Sequence, residues 1–434
     1  MTKTPIPLII IGLDGATRTV LDPLSESGTI PTLTRLLRNG LTTQLRSTLP
    51  VATLPAWTSF MTGAEPASHG ITDIFMRRGS SYGLQPSSGA MRRIPTIMQR
   101  LSTSGYRVAS LGIPGTYPPE PLNGICVSGF DAPGASRTPN SGIWPPEATE
   151  LINRPGGWRF GVFNEHASAA RRFETATDSL LRDIEIKERI ILDSFSTQPW
   201  DLFFFHIQAT DTASHHLWHT WDRNSPRACA VQETNDLPRV FQRVDVLLEK
   251  LLALAPEDTR VLIVSDHGFG GASDRAVYLN RWLHEQGHLR FQSPLLRTRA
   301  KLKAKGAKAI ASRIPAPVIR SLSHRAPAFI RERLLSVARD QGLDFRNTHA
   351  FSHELDYAPS LWMNRRSIFE NGGLSDEEAL ARAERIRADL LQLKDPQRNT
   401  KLIDRIHLRH ELPQGEASLL LPDLVIEPSW ANGY

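Results

Sequence analysis

Three short runs of nearly unbroken hydrophobicity each close on an acidic residue: LIIIGLD at 8–14, DLFFFHIQATD at 201–211 and RVLIVSDHG at 260–268. Continuous rather than alternating apolar residues are what a strand covered on both faces requires, so these runs predict buried parallel strands. Between them, apolar residues recur at helical spacing over 30–39, 95–104, 172–195 and 240–255. Gly40 follows the first of these as a C-cap. Pro95 suits the first position of the second, where its missing N–H costs nothing. Strands alternating with helices predict an α/β fold with a doubly wound, mostly parallel sheet flanked by helices.

Two stretches break that rhythm. Residues 131–157 are rich in Pro, Gly and Ser and are expected to form a long surface loop. Residues 290–345 are basic and helical in pattern, without an acidic strand end, and are expected to be an insertion over the sheet edge or the site. The expected organisation is therefore a core over 1–289, the basic insertion over 290–345, and a C-terminal part of the core over 346–434. No internal repeat or low-complexity tract is present.

Composition narrows the class. With 434 residues, 40% hydrophobic and 22% charged, the chain can bury a sizeable core, and collagen, coiled-coil and wholly disordered readings are excluded. No run approaches the roughly 18–20 apolar residues of a transmembrane helix. The opening MTKTPIPLIIIGLDGA meets Asp14 directly and offers no small-residue cleavage site, so it reads as a strand and not a signal peptide. Only Cys126 and Cys229 occur, which argues against a disulfide scaffold and for a reducing, cytoplasmic setting. The net charge of +6 is local: between Arg297 and Arg333 eleven Lys/Arg face one acid, Glu332, so the remainder is acidic on balance. Contact of that segment with nucleic acid or an anionic surface is weighed against a solvated helical face, and the face is preferred because no nucleic-acid motif accompanies the charge.

In open α/β sheets, function sits beyond the carboxyl ends of the strands. That rule collects Asp14, Asp211 and Asp266, with His267 adjoining the last and His215 four residues after Asp211. An Asp-x-x-x-His spacing on a helix puts both side chains on one face. Oxygen ligands mixed with imidazole suit zinc, manganese or iron better than calcium or magnesium. Five such groups exceed the needs of one tetrahedral ion and favour a pair. Each residue also has a structural alternative: Asp14 as a helix cap, His267 as a turn histidine bonded to backbone, His215 and His216 as helix-surface residues. Three strand-end aspartates with histidine partners are not explained by capping, and the joint metal-site reading is preferred.

The segment STLPVATLPAWTSFMTGAEPASHGI (47–71) is crowded with hydroxyls, and Pro50 and Pro55 stiffen the backbone around Thr53. Threonine is a poor nucleophile unless activated, and coordination to a dication activates it. A Ser/Thr-rich turn with an N-cap at Thr53 or Thr58 is the competing reading, and composition alone favours it. Trp57 is expected in the core or lining a substrate cleft, and His69 as a structural residue of the loop.

Taken in order, IIIGLDGAT, TLPVATLPAWTSFMTGAEPASHGI, LGIPGTYPPEPLNGICVSGFDAP, TDTASHHLW, VSDHGFGG, SLWMNRR and LPDLVIEP resemble the type I phosphodiesterase/nucleotide pyrophosphatase family of the alkaline phosphatase superfamily. The likeness runs over nearly the whole chain apart from 290–345. It implies an alkaline-phosphatase-like fold and two divalent metal ions, with zinc as the family expectation and manganese as the alternative. It implies Thr53 as the metal-bound nucleophile, Asp14, Asp266 and His267 as ligands of the metal holding it, and Asp211 and His215 as ligands of the second. The implied chemistry is hydrolysis of phosphodiester or pyrophosphate bonds through a threonyl-phosphate intermediate. The family's last ligand is a histidine in a Gly-x-His segment after the equivalent of PDLVIEP. This sequence ends at Tyr434 without one, and His349, His353, His407 and His410 do not stand in that motif context. Truncation, a substitute ligand and an enzyme impaired at its second metal remain open, with truncation preferred.

The resemblance leaves a phosphomonoesterase or phosphonate hydrolase of the same superfamily as alternatives. It also leaves a catalytically impaired phosphate- or partner-binding relative. A sulfatase is disfavoured, because ATLPAW at the nucleophile lacks the C/S-x-P-x-R setting. The expected partner is a small phosphodiester or nucleotide-like substrate, with no specific nucleic acid.

Overall fold

The computed structural model describes residues 7–133, 137–160, 169–228, 235–271, 275–292, 342–353 and 358–430. Cys229, the basic segment 297–333 and the C-terminal Tyr434 lie outside the described residues.

The apolar runs form the centre of a six-stranded sheet. β1 (Leu8–Leu13) lies between β7 (Leu202–Ile207) and β8 (Arg260–Val264), parallel to both, with Leu8 opposite Leu202 on one side and Arg260 on the other. β4 (Val108–Ile113) pairs parallel with β7, and β5 (Gly124–Ser128) parallel with β4. The order is β6-β5-β4-β7-β1-β8, in which only β6 (Ile143–Trp144) runs antiparallel; β2 (Phe75–Arg77) and β3 (Leu84–Pro86) pair apart from it as an antiparallel ribbon. Phe203, Phe204 and Phe205 of β7 are wholly buried, on alternate faces. Each contributes roughly 1.5–3 kcal/mol by leaving water, which is why a short run suffices to hold the central strand.

Helices cover both faces. α7 (Ala169–Phe195) and α9 (Asp236–Leu254) pack on each other, and α9 buries Leu237, Val240, Phe241, Val244, Leu247, Leu248 and Leu251, one helical stripe. Asp245 on that stripe accepts the backbone N–H groups of Thr32 (3.0 Å) and Leu33 (2.7 Å). It thereby caps α2 (Pro31–Asn39), whose own N-cap Ile30 has no side chain to do so.

Residues 350–428 add a four-stranded antiparallel sheet, order β11-β12-β10-β9. Its strands are β9 (Ala350–Phe351), β10 (Ser360–Met363), β11 (Ile403–Leu408) and β12 (Leu424–Pro428), backed by α11 (Asp376–Leu391) with a core of its own. The flanks of the basic segment meet there, Phe291 bridging Leu343 antiparallel.

Several expectations are corrected. The 131–157 stretch is not a plain surface loop: it contains β6 and α6 (Ala148–Asn153) and buries Ile143, Ala148 and Ile152 in the main core. Its Pro and Gly content masked those few apolar anchors. The run 201–211 is strand only to Ile207; α8 (Ala209–Trp221) follows at once, so Asp211 stands in the first turn of a helix. β8 is an edge strand among the described residues and is only half-covered, with Leu262 43% exposed. Pro95 precedes rather than opens α5 (Ile97–Thr103), because Thr96 is the N-cap, in a capping box with Gln99.

Candidate active site

The carboxyl ends of β1, β7 and β8 lie side by side because these strands are sheet neighbours. Asp14 follows β1 directly. Its backbone N–H donates to Ile207 (3.1 Å) and its carbonyl accepts from Thr210 Oγ1 (2.6 Å), so the residue is locked to the β7–α8 turn. Gly15 then turns with φ of +60°, and a Cβ there would stand 3.0 Å from Asp211 Oδ1, so glycine alone lets the two acids approach. Thr17, and not Asp14, caps α1 (Arg18–Glu26).

Thr53 opens α3 (Thr53–Thr62). The N-cap is Ala52, without a side-chain cap, so neither Thr53 nor Thr58 spends its hydroxyl in that role. Thr53 Oγ1 instead lies 3.3 Å from His267 Nε2. His267 is also bonded through Nδ1 to the Gly268 carbonyl (2.9 Å), so the turn-histidine reading holds as well. A donating Nδ1–H leaves Nε2 as the nitrogen with the coordinating lone pair.

His267 Nε2 lies 3.3 Å from Asp266 Oδ2 and 3.5 Å from Asp14 Oδ1. One ligand atom each from Asp14, Asp211 and His267 lie within 4.8 Å of one another. His215 Nε2 is 3.4 Å from Asp211 Oδ1, on the exposed side of α8. All six residues picked out in the sequence thus fall in one connected group at the strand ends.

Three oxygens in that group, Asp14 Oδ1, Asp211 Oδ1 and Asp266 Oδ2, are buried with no hydrogen-bond partner. Leaving a buried acceptor unmade costs about 1–3 kcal/mol, more when charged. Three such oxygens with imidazole nitrogens beside them fit a divalent cation. The electrostatics agree. Burial, then the Asp14 charge, pushes Asp211 up to about 8 and Asp266 well above its ordinary range. Burial alone would lower His267, but Asp266 and Asp14 outweigh it and raise it to about 9. Asp14 is held below the usual range, its burial outweighed by His206, His267 and Trp57.

One neighbour escaped the sequence reading: His206 on β7 bonds through Nε2 to Asp14 Oδ2 (2.8 Å). Trp57 Nε1 donates to the same oxygen (3.3 Å), and its full burial fits the core reading and not the cleft one. A lone polar residue inside LFFFHI was the signal for His206. His69 has the structural role expected: its Nδ1 accepts from the Ile71 N–H (3.1 Å) and its Nε2 meets Ser59 Oγ (2.9 Å), with burial pulling its pKa down to about 4. His353 packs against Trp362 of β10, and His407 of β11 is bonded to Glu427.

A mostly parallel sheet flanked by helices, with acids and histidines converging on its carboxyl rim, is an alkaline-phosphatase-like α/β fold. The chain belongs to the type I phosphodiesterase / nucleotide pyrophosphatase family, whose model matches residues 8–430. Among solved structures it is similar to phosphonoacetate hydrolase from Sinorhizobium meliloti 1021 in complex with phosphonoacetate, at TM-score 0.51 and 14% identity over 98% of this chain and 81% of that one. The complex of that hydrolase with phosphonoformate matches at TM-score 0.52 and 16% identity, with the same coverage. No curated protein matches significantly. No helix among the described residues is long and apolar enough to cross a membrane.

Proposed function

We propose that this protein is a metal-dependent hydrolase of phosphodiester or pyrophosphate bonds that works through a threonyl-phosphate intermediate on Thr53. The observation that carries the reading is that one ligand atom each of Asp14, Asp211 and His267 gather within 4.8 Å, while Asp266 Oδ2 and Thr53 Oγ1 each lie 3.3 Å from His267 Nε2.

Asp14, Asp266 and His267 would hold one divalent cation together with Thr53, and Asp211 and His215 a second. Zinc suits this donor set and manganese is the alternative. When bound, such cations neutralise phosphoryl charge and lower the pKa of a hydroxyl or water. Thr53 Oγ attacks phosphorus, its bond to phosphorus forms as the ester bond to the leaving group breaks, and the Thr53 proton departs to solvent or to the leaving oxygen. Thr53 begins α3, so the positive end of that helix faces the phosphoryl oxygens. Water then attacks the threonyl phosphate from the opposite side, releasing phosphate or its ester and restoring Thr53. The chain's part is placement and charge, as expected for phosphoryl transfer. Asp211 and His215 give the second cation two protein ligands, one short of the three usual at a catalytic zinc, so that site is expected to be the weaker one.

A phosphonate hydrolase is the second reading, favoured by the similarity to solved structures that hold phosphonoacetate and phosphonoformate. Rates of the zinc- and manganese-loaded protein on bis(4-nitrophenyl) phosphate, 4-nitrophenyl phosphate and phosphonoacetate separate the two. Preference for the diester supports the proposal, preference for phosphonoacetate replaces it, and no turnover of any of them removes the enzymatic reading.

A further inference from the structure

We propose that His206 is a positioning residue that commits one oxygen of Asp14 to the protein and turns the other toward the cation site. The inference rests on the metal-site reading above.

His206 and Asp14 are each only 1% exposed. His206 Nε2 lies 2.8 Å from Asp14 Oδ2 and Trp57 Nε1 lies 3.3 Å from that same atom. Both contacts fall on Oδ2, so Oδ1 is left buried without a hydrogen bond, with His267 Nε2 3.5 Å away. An ionised carboxylate only accepts, so the imidazole must carry its proton at Nε2. Two N–H groups on one oxygen remove the freedom of the carboxylate to exchange its oxygens, and outer partners of this kind orient metal ligands generally.

The fold makes room for this on purpose-built ground. Gly12 faces His206 across the β1–β7 register, and a Cβ on Gly12 would stand 2.7 Å from the Trp57 ring and 3.3 Å from His206 Cδ2. Trp57 lies one turn beyond Thr53 on α3. The bonded oxygen therefore ties the nucleophile's helix to the ligand's strand, and His206 on the neighbouring strand completes the tie.

The test compares His206→Leu, which removes the donor, with His206→Gln, which retains an N–H, and with Trp57→Phe, which removes only the weaker donor. Zn²⁺ affinity is read by competition with a chromogenic chelator, melting of the metal-free protein checks folding, and kcat and KM are read on bis(4-nitrophenyl) phosphate. His206→Leu is expected to weaken Zn²⁺ binding roughly 10–100-fold and to lower kcat with little change in KM, as losses of outer metal partners do. His206→Gln is expected to recover a large part of both, and Trp57→Phe to shift both the same way but less. Wild-type Zn²⁺ affinity and kcat in a folded His206→Leu protein overturn the proposal, as does a loss that His206→Gln does not recover. Should His206→Leu fail to fold, unchanged affinity and kcat in Trp57→Phe overturn it instead. A wild-type protein that binds no Zn²⁺ fails the underlying reading, an outcome separate from any difference between variants.

Discussion

Thr53 Oγ1 and His267 Nε2 stand 3.3 Å apart although 214 positions separate them in the chain. The contact joins the first turn of a helix to the loop after β8: Trp57 ties that helix to Asp14 at the end of β1, and β8 is the neighbour of β1 in the sheet. In the proposed mechanism this contact would hold the hydroxyl as a nucleophile beside a cation able to acidify it.

Thr53→Ala is expected to lower turnover of bis(4-nitrophenyl) phosphate by roughly three orders of magnitude or more, as losses of a nucleophile do, while Zn²⁺ stoichiometry stays close to wild type. Asp266→Asn is expected to reduce both. Steady-state rates and elemental analysis on the same samples make the comparison; an alanine variant with wild-type rates removes Thr53 from its role.

Loading the site is expected to expel protons. Asp211 at about 8 and His267 at about 9 both hold a proton at pH 7 in the metal-free protein, and coordination requires each to lose it. Both pKa values are raised above the ordinary ones, so their stabilising contribution is complete at low pH and is lost as pH rises, through about 8 for Asp211 and about 9 for His267. The metal-free protein should therefore melt at lower temperature at pH 9 than at pH 6, and Zn²⁺ should restore more at pH 9. Calorimetric titration in buffers of different ionisation enthalpy counts the protons; a count of zero at pH 7 contradicts the charge arrangement.

Gly12→Ala places a methyl 2.7 Å from the buried Trp57 ring. Overpacking of that kind costs about 1–3 kcal/mol, and here it also pushes on the ring that bonds Asp14. Urea unfolding should show the loss of stability, and kcat should fall more than KM rises. A variant of unchanged stability would mean that the strand yields instead.

Asp131 offers a stability test outside the candidate ligand set. Its half-buried carboxylate accepts the N–H groups of Gly89 (3.3 Å), Gly115 (3.0 Å) and Tyr117 (2.9 Å), holding together two turns. Asp131→Ala leaves three donors unpaired, at about 1–3 kcal/mol for each that water does not reach. A midpoint shift in urea corresponding to several kcal/mol is the expected outcome, and a shift below 1 kcal/mol would show that solvent replaces the carboxylate.

Much of this protein is written locally and can be read without coordinates. Apolar runs ending in acids locate β1, β7 and β8, and the rule that chemistry gathers at their carboxyl ends brings Asp14, Asp211, Asp266 and His267 together, because strand formation and strand-end exposure are short-range properties. The spacing of Asp211 and His215 likewise needs nothing beyond a helical turn. What only the tertiary structure decided is which oxygen of each acid is spent on the protein and which remains. His206 and Trp57 reach Asp14 from another strand and another helix, Gly12 and Gly15 matter only through the atoms they allow to approach, and a few apolar residues near Pro145 become β6 and α6 once a sheet edge and a core stand beside them. Those outcomes depend on contacts between segments far apart in the chain, which local pattern does not encode.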